Sequence, residues 1–301
     1  MKYTILALTL ILMSPINNSF AEEDLIQLRF ESEINGTPFQ CGKHCDAVGK
    51  TKAKITPTDL RLYISEIELL NSKGEWIKSA LVQDKVWQNS DVVMLDFEDG
   101  TGPCKNGSSG TNKIAKIKSS KGQYIGIRFL IGVPFTANHA NPTIADAPLS
   151  TTALFWNWQN GYRFIKFDAR TSINDIGHQS SRSSSNTSHN SGMNHSSATG
   201  FSLHLGSTEC ASNSTTTAPK SCKNSNRIKV EFSSFNFDKN TLVIDIGKVL
   251  KNTDVTTNTP HTSPGCMSFS NDPDCVEVMN ALGLPYQGKA TTGKQQLISI
   301  R

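Results

Sequence analysis

The sequence predicts a mainly β protein, specifically an antiparallel β-sandwich with long loops and a short C-terminal helix. Several short segments alternate apolar and polar residues, which is typical of strands that bury one face. These segments are residues 26–30, 125–133, 201–205 and 228–232. Turn signals separate the segments, namely Asn35-Gly36, Lys73-Gly74, Asp99-Gly100 and Asn160-Gly161. Short strands with frequent turns favour a sandwich over an α/β fold.

The predicted helix lies near the C terminus. Asp272 can cap it, Pro273 suits the first helical position, and Gly283 can end it. The face expected to be buried carries Val276, Met279 and Leu282. The helix is a minor element of the predicted fold.

The chain divides into a leader, one domain and a tail. Residues 1–21 combine Lys2, an apolar stretch and the sequence Ser19-Phe20-Ala21, which together predict a cleaved signal peptide. We expect one β domain over residues 22–285 and a loosely held tail over residues 286–301. Residues 169–200 are rich in Ser, Asn and His, which predicts a mobile surface insertion. No apolar run after the leader approaches the ~20 residues of a membrane-spanning helix.

Composition and motifs exclude several classes of protein. With 37% hydrophobic and 19% charged residues, a chain of 301 residues can bury a core. Its net charge of +4 arises from scattered basic residues, so nucleic acid is not an expected partner. The motifs of common hydrolases, metalloproteases, nucleotide-binding proteins and redox proteins are missing from the sequence. These classes therefore lack support; enzymes without such motifs exist, but we expect that the protein is not an enzyme.

All seven cysteines follow the predicted leader, which in an oxidising compartment predicts structural disulfides. Cys210 with Cys222, and Cys266 with Cys275, would each close a short polar loop. One bridge and one spare thiol then remain among Cys41, Cys45 and Cys104. The alternative is a thiolate metal site in the segment Cys41-Gly-Lys-His44-Cys45, but exported cysteines are usually oxidised.

The acidic run Asp96-Phe97-Glu98-Asp99-Gly100 offers oxygen ligands for a hard cation. Its spacing differs from that of an EF-hand loop, and the run ends a segment that alternates like a strand. A structural turn is therefore favoured over a calcium site.

Histidines are the more informative metal candidates, because imidazoles can bind copper or zinc without a carboxylate cluster. His139 follows a predicted strand and lies in a loop, where a side chain can point at a site. His204 lies on the strand face opposite to Phe201, Leu203 and Leu205, and therefore meets solvent or lines a site. Weak metal capture is a further option for His178, His189 and His195 in the insertion.

Two tryptophans belong to a predicted hairpin that turns at Asn160-Gly161. Trp156 and Trp158 are two residues apart and share one face of their strand. Such a pair is typical of a core or of a platform on which sugars stack. Trp87 is a third large aromatic residue in a polar setting.

Together, these motifs resemble the MbnP-like family, also described as the four-Cys member of the metallo-mystery pair. The resemblance runs in one order from about Leu25 to Leu284. It rests on Asp59-Leu60-Arg61-Leu62-Tyr63, Trp87-Gln88, residues 95–100, Gly132-Val133-Pro134-Phe135 with Asn138-His139, residues 155–162, His204-Leu205-Gly206-Ser207 with Cys210, and Gly265-Cys266-Met267-Ser268.

The resemblance implies an exported copper-binding protein of a Gram-negative bacterium, in the periplasm or on the outer surface, that acquires, stores or handles copper. It implies a MauG-like partner of the di-haem cytochrome c peroxidase family, which oxidises a tryptophan to kynurenine, and allows an outer-membrane transporter of copper or of a copper chelate as a second partner. The ligands carried over are His139 and His204. The candidates for the kynurenine are Trp156 and Trp158.

Two features depart from the family pattern. Cys45 stands where a residue other than cysteine is expected, which leaves Cys104 or Cys45 as the partner of Cys41. The insertion is longer than the family requires. Two other functions compete with copper binding. One is a glycan-binding or protein-binding adhesion module that uses surface tryptophans, and the other is an enzyme that oxidises a substrate at a histidine-held copper.

Overall fold

The computed structural model describes residues 23–172, 200–214, 216–291 and 293–301. The predicted signal peptide and residues 173–199 of the predicted insertion lie outside these ranges. His178, His189 and His195 therefore also lie outside the described residues.

One sheet contains six of the strands that the described residues form, numbered in chain order. They are β1 (Glu23–Ile34), β2 (Thr37–Pro38), β6 (Ala80–Leu81), β9 (Ile114–Ser120), β17 (Leu242–Asp245) and β18 (Ile298–Ile300), in the spatial order β18-β17-β1-β9-β6 with β2 beside β1. β1 is antiparallel to β9 and parallel to β17. Its alternation is that of a half-buried strand, because Leu28 and Phe30 are buried while Gln27 and Arg29 are exposed.

The second sheet contains ten strands within the same ranges. They are β3 (Cys45–Val48), β4 (Ala53–Asn71), β5 (Trp76–Lys78), β7 (Gln88–Asn89), β8 (Val92–Asp96), β10 (Tyr124–Ile131), β11 (Phe155–Asn157), β12 (Gly161–Ser172), β13 (Gly200–Gly206) and β16 (Ile228–Phe232). The central path is β11-β12-β4-β10-β16, and β13 pairs with β12. A separate antiparallel pair consists of β14 (Thr208–Cys210) and β15 (Cys222–Asn224).

The core lies between the two large sheets. Phe30 of β1 contacts Phe129 of β10 edge to face, with ring centroids 6.1 Å apart. The apolar residues of both sheets form one continuous buried cluster. The predicted mainly β, antiparallel architecture is therefore confirmed.

Strand β4 explains how a polar site is built onto this core. Leu60, Leu62 and Ile64 alternate with Asp59, Arg61 and Tyr63, and all six side chains are buried. Both faces of β4 are therefore covered, one by apolar packing and the other by a layer that includes charged groups.

The helices are short. They are α1 (Phe135–Asn138), α2 (Ile246–Leu250) and α3 (Val276–Ala281), with 3-10 turns at Thr152–Leu154 and Pro273–Cys275. The predicted C-terminal helix is confirmed, but its predicted face is wrong at Val276, which is exposed while Val278 is buried beside Met279. The helix is preceded by a 3-10 turn that Asp272 caps. Because a 3-10 turn has fewer residues per turn than an α-helix, it changes which residues of the helix face the core. In the described ranges, no helix is long and apolar enough to cross a membrane.

Two segments are more ordered than the sequence predicts. β12 continues through Ala169 to Ser172, so the first four residues of the predicted insertion belong to the sheet. The C-terminal tail ends in β18, which pairs with β17, and Arg301 forms ion pairs with Glu31 and Glu33. The prediction of a loosely held tail is wrong for these last residues, because strand pairing fixes them.

Three disulfides join cysteines of the described chain. The two predicted local pairs, Cys210–Cys222 and Cys266–Cys275, are confirmed. The third joins Cys41 to Cys104, and Cys45 is a free, buried thiol. Burial raises the pKa of the Cys45 thiol, as is typical of an unreactive structural cysteine.

Candidate metal centre

His139 caps the C-terminal end of α1 and is 7% exposed. Its Nδ1 lies 3.4 Å from the carbonyl oxygen of Trp158, and its Nε2 lies 3.1 Å from the side-chain amide nitrogen of Asn138. Because a carbonyl only accepts, Nδ1 carries the proton and Nε2 keeps its lone pair. Burial lowers the pKa of His139, although the Trp158 carbonyl opposes this shift. The ring is therefore neutral near neutral pH and can act as a metal ligand.

Asn138 ties this loop to the tryptophan hairpin. Its amide nitrogen donates to the carbonyl of Asn160 at 3.3 Å, and its oxygen accepts from the backbone N–H of Tyr162 at 2.8 Å. Gly161 adopts φ +75°, and a Cβ at this position would lie 2.4 Å from Asn138. A glycine is thus required here both for the backbone conformation and for the close approach of Asn138.

The disulfide Cys210–Cys222 lies beside His139, with Cys222 Sγ 3.4 Å from Nε2. His139 and these two sulfurs place their ligand atoms within 4.8 Å of one another, as do Glu98 and the sulfurs of Cys41 and Cys104. In both groups the sulfurs are already bonded to each other. Neither group is a thiolate metal site in the oxidised protein.

His204 lies in β13 and is 7% exposed. Its Nε2 lies 2.8 Å from Asp168 Oδ1 on the neighbouring strand β12. Its Nδ1 is buried and has no hydrogen-bond partner among the described residues. A buried nitrogen without a partner is costly unless a ligand occupies it, so His204 has one nitrogen fixed and one available.

Asp168 is an ionised carboxylate. Burial alone would raise its pKa, but the hydrogen bond and charge of His204 and the charge of Lys166 lower it below its usual value. Lys166 Nζ lies 2.7 Å from Asp168 Oδ2, and Ser202 donates to Oδ1 at 2.6 Å. The carboxylate next to His204 is thus held in place by three donors.

Trp156 is the tryptophan next to His204. The two ring centroids are 6.4 Å apart, and Phe269 stacks on Trp156 with centroids 5.7 Å apart. The Arg163 guanidinium lies 5.1 Å from the centroid of the indole, and a Cβ on Gly206 would come within 2.8 Å of the ring. The indole is therefore packed from several directions.

Trp158 belongs to the His139 side of the site. Its ring contacts Phe155 edge to face at 6.3 Å, and its carbonyl binds His139. The hairpin formed by β11 and β12 thus approaches one predicted ligand through Trp156 and the other through Trp158. No contact that joins His139 directly to His204 is found in the part of the chain that the structure describes.

A family profile of MbnP matches residues 23–268, which is more than half of the chain. This chain belongs to the MbnP family. Among solved structures, MbnP from Methylosinus trichosporium is similar, with 26% sequence identity and a TM-score of 0.75 over 93% of this chain and 98% of that chain. No curated protein matches the sequence. The resemblance on which the predicted site rests is thereby confirmed, and all four predicted site residues lie in the MbnP region.

The side chains of two other predicted motifs are engaged in contacts within the described residues. Cys41 is bonded to Cys104, and His44 is exposed with its Nδ1 2.7 Å from Thr56 Oγ1, so the predicted alternative of a thiolate site near Cys45 is wrong. The acidic run at residues 96–100 forms a turn in which Glu98 Oε1 accepts a hydrogen bond from the backbone N–H of Gly100.

Sequence reasoning missed Asp168 and the role of Ser268. Ser268 donates to the carbonyl of His204 at 2.6 Å and accepts from the N–H of Gly206 at 3.2 Å. It therefore fixes the backbone around His204 from outside the sheet. The serine stands in a segment that resembles the MbnP family, but no local pattern marks Asp168, since its role depends on strand register.

Proposed function

We propose that this protein binds copper through His139 and His204 and acquires, stores or hands on the metal. The observation that carries the proposal is the buried Nδ1 of His204, which has no hydrogen-bond partner among the described residues. The ring of Trp156 lies beside this histidine, and the chain belongs to the MbnP family. The protein is not itself a catalyst but the substrate of a partner that modifies it.

The donor set fits copper. Both rings are almost fully buried, and each has one nitrogen committed to a protein acceptor. Such a pairing orients an imidazole and raises its basicity as a ligand. Copper stands highest in affinity among the divalent first-row metals for nitrogen ligands, and imidazole also suits Cu(I). We therefore expect copper to outcompete zinc at this site.

Trp156 is the better candidate for oxidation to kynurenine. Its ring adjoins His204, whereas the ring of Trp158 packs on Phe155 and only its backbone carbonyl reaches His139. A MauG-like di-haem protein would catalyse the oxidation with dioxygen or peroxide as the oxidant. Cleavage of the indole C2–C3 bond adds two oxygen atoms, and hydrolysis then releases C2 as formate, so that the residue loses one carbon and gains one oxygen overall. The new amine and ketone would then lie beside the free nitrogen of His204.

The test is native intact-mass spectrometry of the protein from its own host, with and without added copper. We expect one retained copper and a covalent mass change that peptide mapping assigns to Trp156. His204→Ala and His139→Ala should each lose the copper, whereas His44→Ala should retain it, because His44 is exposed and far from both rings in sequence. Retention of copper by His204→Ala would contradict the proposal.

The location follows from the same proposal. Three disulfides require an oxidising compartment, and the sequence before Glu23 carries the predicted leader. We propose export to the periplasm or outer surface, where a di-haem partner and an outer-membrane transporter of copper or its chelate have access. N-terminal sequencing of the native protein should begin after Ala21, and an uncleaved N terminus would contradict export by this leader.

The packing around Trp156 weighs against a sugar-binding platform. Stacking on a sugar requires a free indole face, but Phe269 and Arg163 already lie against this ring. A glycan array should therefore show no binding that depends on Trp156 or Trp158.

A further inference from the structure

A row of buried polar side chains crosses the second sheet and ends at His204. In the strand register, Asp96 of β8 lies opposite Arg61 of β4, Arg61 opposite Lys166 of β12, and Lys166 opposite His204 of β13. Residues directly opposite each other share a face of the sheet. All four side chains are buried. The histidine is thus the end of a charged layer built on one face of the sheet.

The next row connects these groups. Asp59 accepts a hydrogen bond from Arg61 Nε at 2.9 Å and forms an ion pair with Lys166. Lys166 also binds Asp168 Oδ2, and Asp168 Oδ1 faces His204 Nε2. The chain of contacts therefore alternates in charge from Arg61 through two carboxylates and a lysine to the imidazole. Because the pairs are buried, solvent screens them little.

This chain of contacts decides which nitrogen of His204 is protonated. The carboxylate of Asp168 is ionised and acts only as an acceptor, so Nε2 must donate to it. A proton on Nδ1 as well would be buried without an acceptor, since no described residue lies within reach of that atom. The geometry therefore places a proton on Nε2 and leaves Nδ1 without an acceptor to hold a second one.

We propose that Asp168, held by Lys166 and Ser202, is a positioning residue that fixes His204 as an Nδ1 ligand. The inference rests on the proposed copper function and deepens it. His139 is fixed in the opposite sense, because its Nδ1 donates to the carbonyl of Trp158 and the lone pair of its Nε2 accepts from the Asn138 amide, which must turn away for Nε2 to bind a metal. The two histidines therefore present different nitrogens to the metal, and only that of His204 depends on a carboxylate.

The first test uses the wild-type protein and needs no substitution. Protein with isotope-labelled histidine is observed by long-range proton–nitrogen correlation spectra, and His204 is assigned by its absence in His204→Ala. Without metal, we expect a proton on Nε2 and none on Nδ1. After Ag(I) is added as a redox-inert analogue of Cu(I), we expect silver–nitrogen coupling at Nδ1 of His204 and at Nε2 of His139. A proton on Nδ1, or coupling at Nε2 of His204, would overturn the inference.

The second test removes the carboxylate charge. Asp168→Asn should weaken Cu(I) binding by about 10- to 100-fold in competition with a chelator, and populate both tautomers of His204. The matched control is Glu231→Gln on β16 of the same sheet, which removes a carboxylate from ion pairs with Lys229 of β16 and Arg128 of β10. Unchanged affinity and an unchanged tautomer in folded Asp168→Asn would also overturn the inference.

The two tests separate failure of the inference from failure of the copper function. If His204→Ala retains copper, the proposed function fails. If His204→Ala loses copper while silver couples to Nε2, the function stands and only the role of Asp168 fails. The metal-free tautomer of the wild type gives an answer even if Asp168→Asn does not fold.

Discussion

The two predicted ligands are held by different kinds of structure. His204 lies within a strand, and its neighbours are charged side chains brought together by cross-strand register. His139 follows a single helical turn, and its neighbours are a backbone carbonyl, a side-chain amide and a disulfide. The first half of the site depends on electrostatics and the second on backbone conformation. Substitutions should therefore impair one half without the other.

The largest effect is expected from removing the central cation of the His204 half. Arg61 is 1% exposed and faces Asp59, with Asp96 and Glu98 nearby. Arg61→Met leaves buried carboxylates without a counter-charge and should lower the free energy of unfolding by about 3–5 kcal/mol. Urea denaturation measures the change.

The control for Arg61 is Arg301→Gln, which breaks the ion pairs of an exposed arginine with exposed Glu31 and with buried Glu33. It should cost less than Arg61→Met, about 0–1 kcal/mol, because solvent screens the exposed Arg301 side chain. Similar losses for the two arginine variants would contradict the idea that the His204 half rests on buried charge.

The second effect concerns the His139 half and compares two glycines. Gly161 and Gly74 have similar conformations, with φ +75° and +83°, but a Cβ would clash with Asn138 only at Gly161. Both alanine variants should be strained by the positive φ, and Gly161→Ala should lose a further ~1–3 kcal/mol because Asn138 must move.

The readouts of the glycine pair are thermal unfolding and the silver coupling. Gly161→Ala should weaken silver binding and its coupling at His139 but keep the proton of metal-free His204 on Nε2, whereas Gly74→Ala should change neither. A changed tautomer of His204 in Gly161→Ala would show that the two halves are not independent.

Local periodicity predicted much of the fold and part of the site. The alternation of residues 201–205 placed His204 opposite Phe201, Leu203 and Leu205 because side-chain direction in a strand depends only on the strand itself. The disulfides Cys210–Cys222 and Cys266–Cys275 were predictable because each closes a short polar loop.

Features that depend on distant parts of the chain were not predictable in this way. Asp168 reaches His204 only through the register of β12 and β13, which are separated by 27 residues outside the described ranges. The bridge Cys41–Cys104 spans 63 residues, so spacing left its partner open. β18 has three residues, too few for alternation to distinguish a paired strand from a loose tail.

The third effect is a pH dependence at the far end of the charged row. Burial raises the pKa of Asp96 from an ordinary 3.8 to about 7, although the Glu98 N–H and Arg61 oppose the shift. Between about pH 4 and pH 7, Asp96 is deprotonated in the unfolded chain but still protonated in the folded protein. This group therefore makes the free energy of unfolding fall as pH rises from about 4 to about 7.

Asp96→Asn should remove that fall and stabilise the protein by about 1–2 kcal/mol at about pH 8, where the wild type carries the buried charge. Urea unfolding across this pH range measures the effect. Asp91→Asn is the control, because Asp91 lies on the surface in an ion pair with Lys78. If the Asp96→Asn curve keeps the wild-type slope, Asp96 is not the group that titrates there.

The smallest effect is expected from Phe269, which packs on Trp156 at the surface of the His204 half. Phe269 is 42% exposed and stacks on Trp156 at an interplanar angle of 24°. Phe269→Ala removes one aromatic pair and should cost about 0.5–1.5 kcal/mol, with a shift in tryptophan fluorescence as water reaches the indole. Copper affinity should stay near that of the wild type, since the Phe269 side chain offers no ligand atom and no hydrogen bond to Asp168 or His204. A large loss of affinity would mean that the packing of Phe269 on Trp156, and not only the hydrogen bond from His204 to Asp168, sets the geometry of this half of the site.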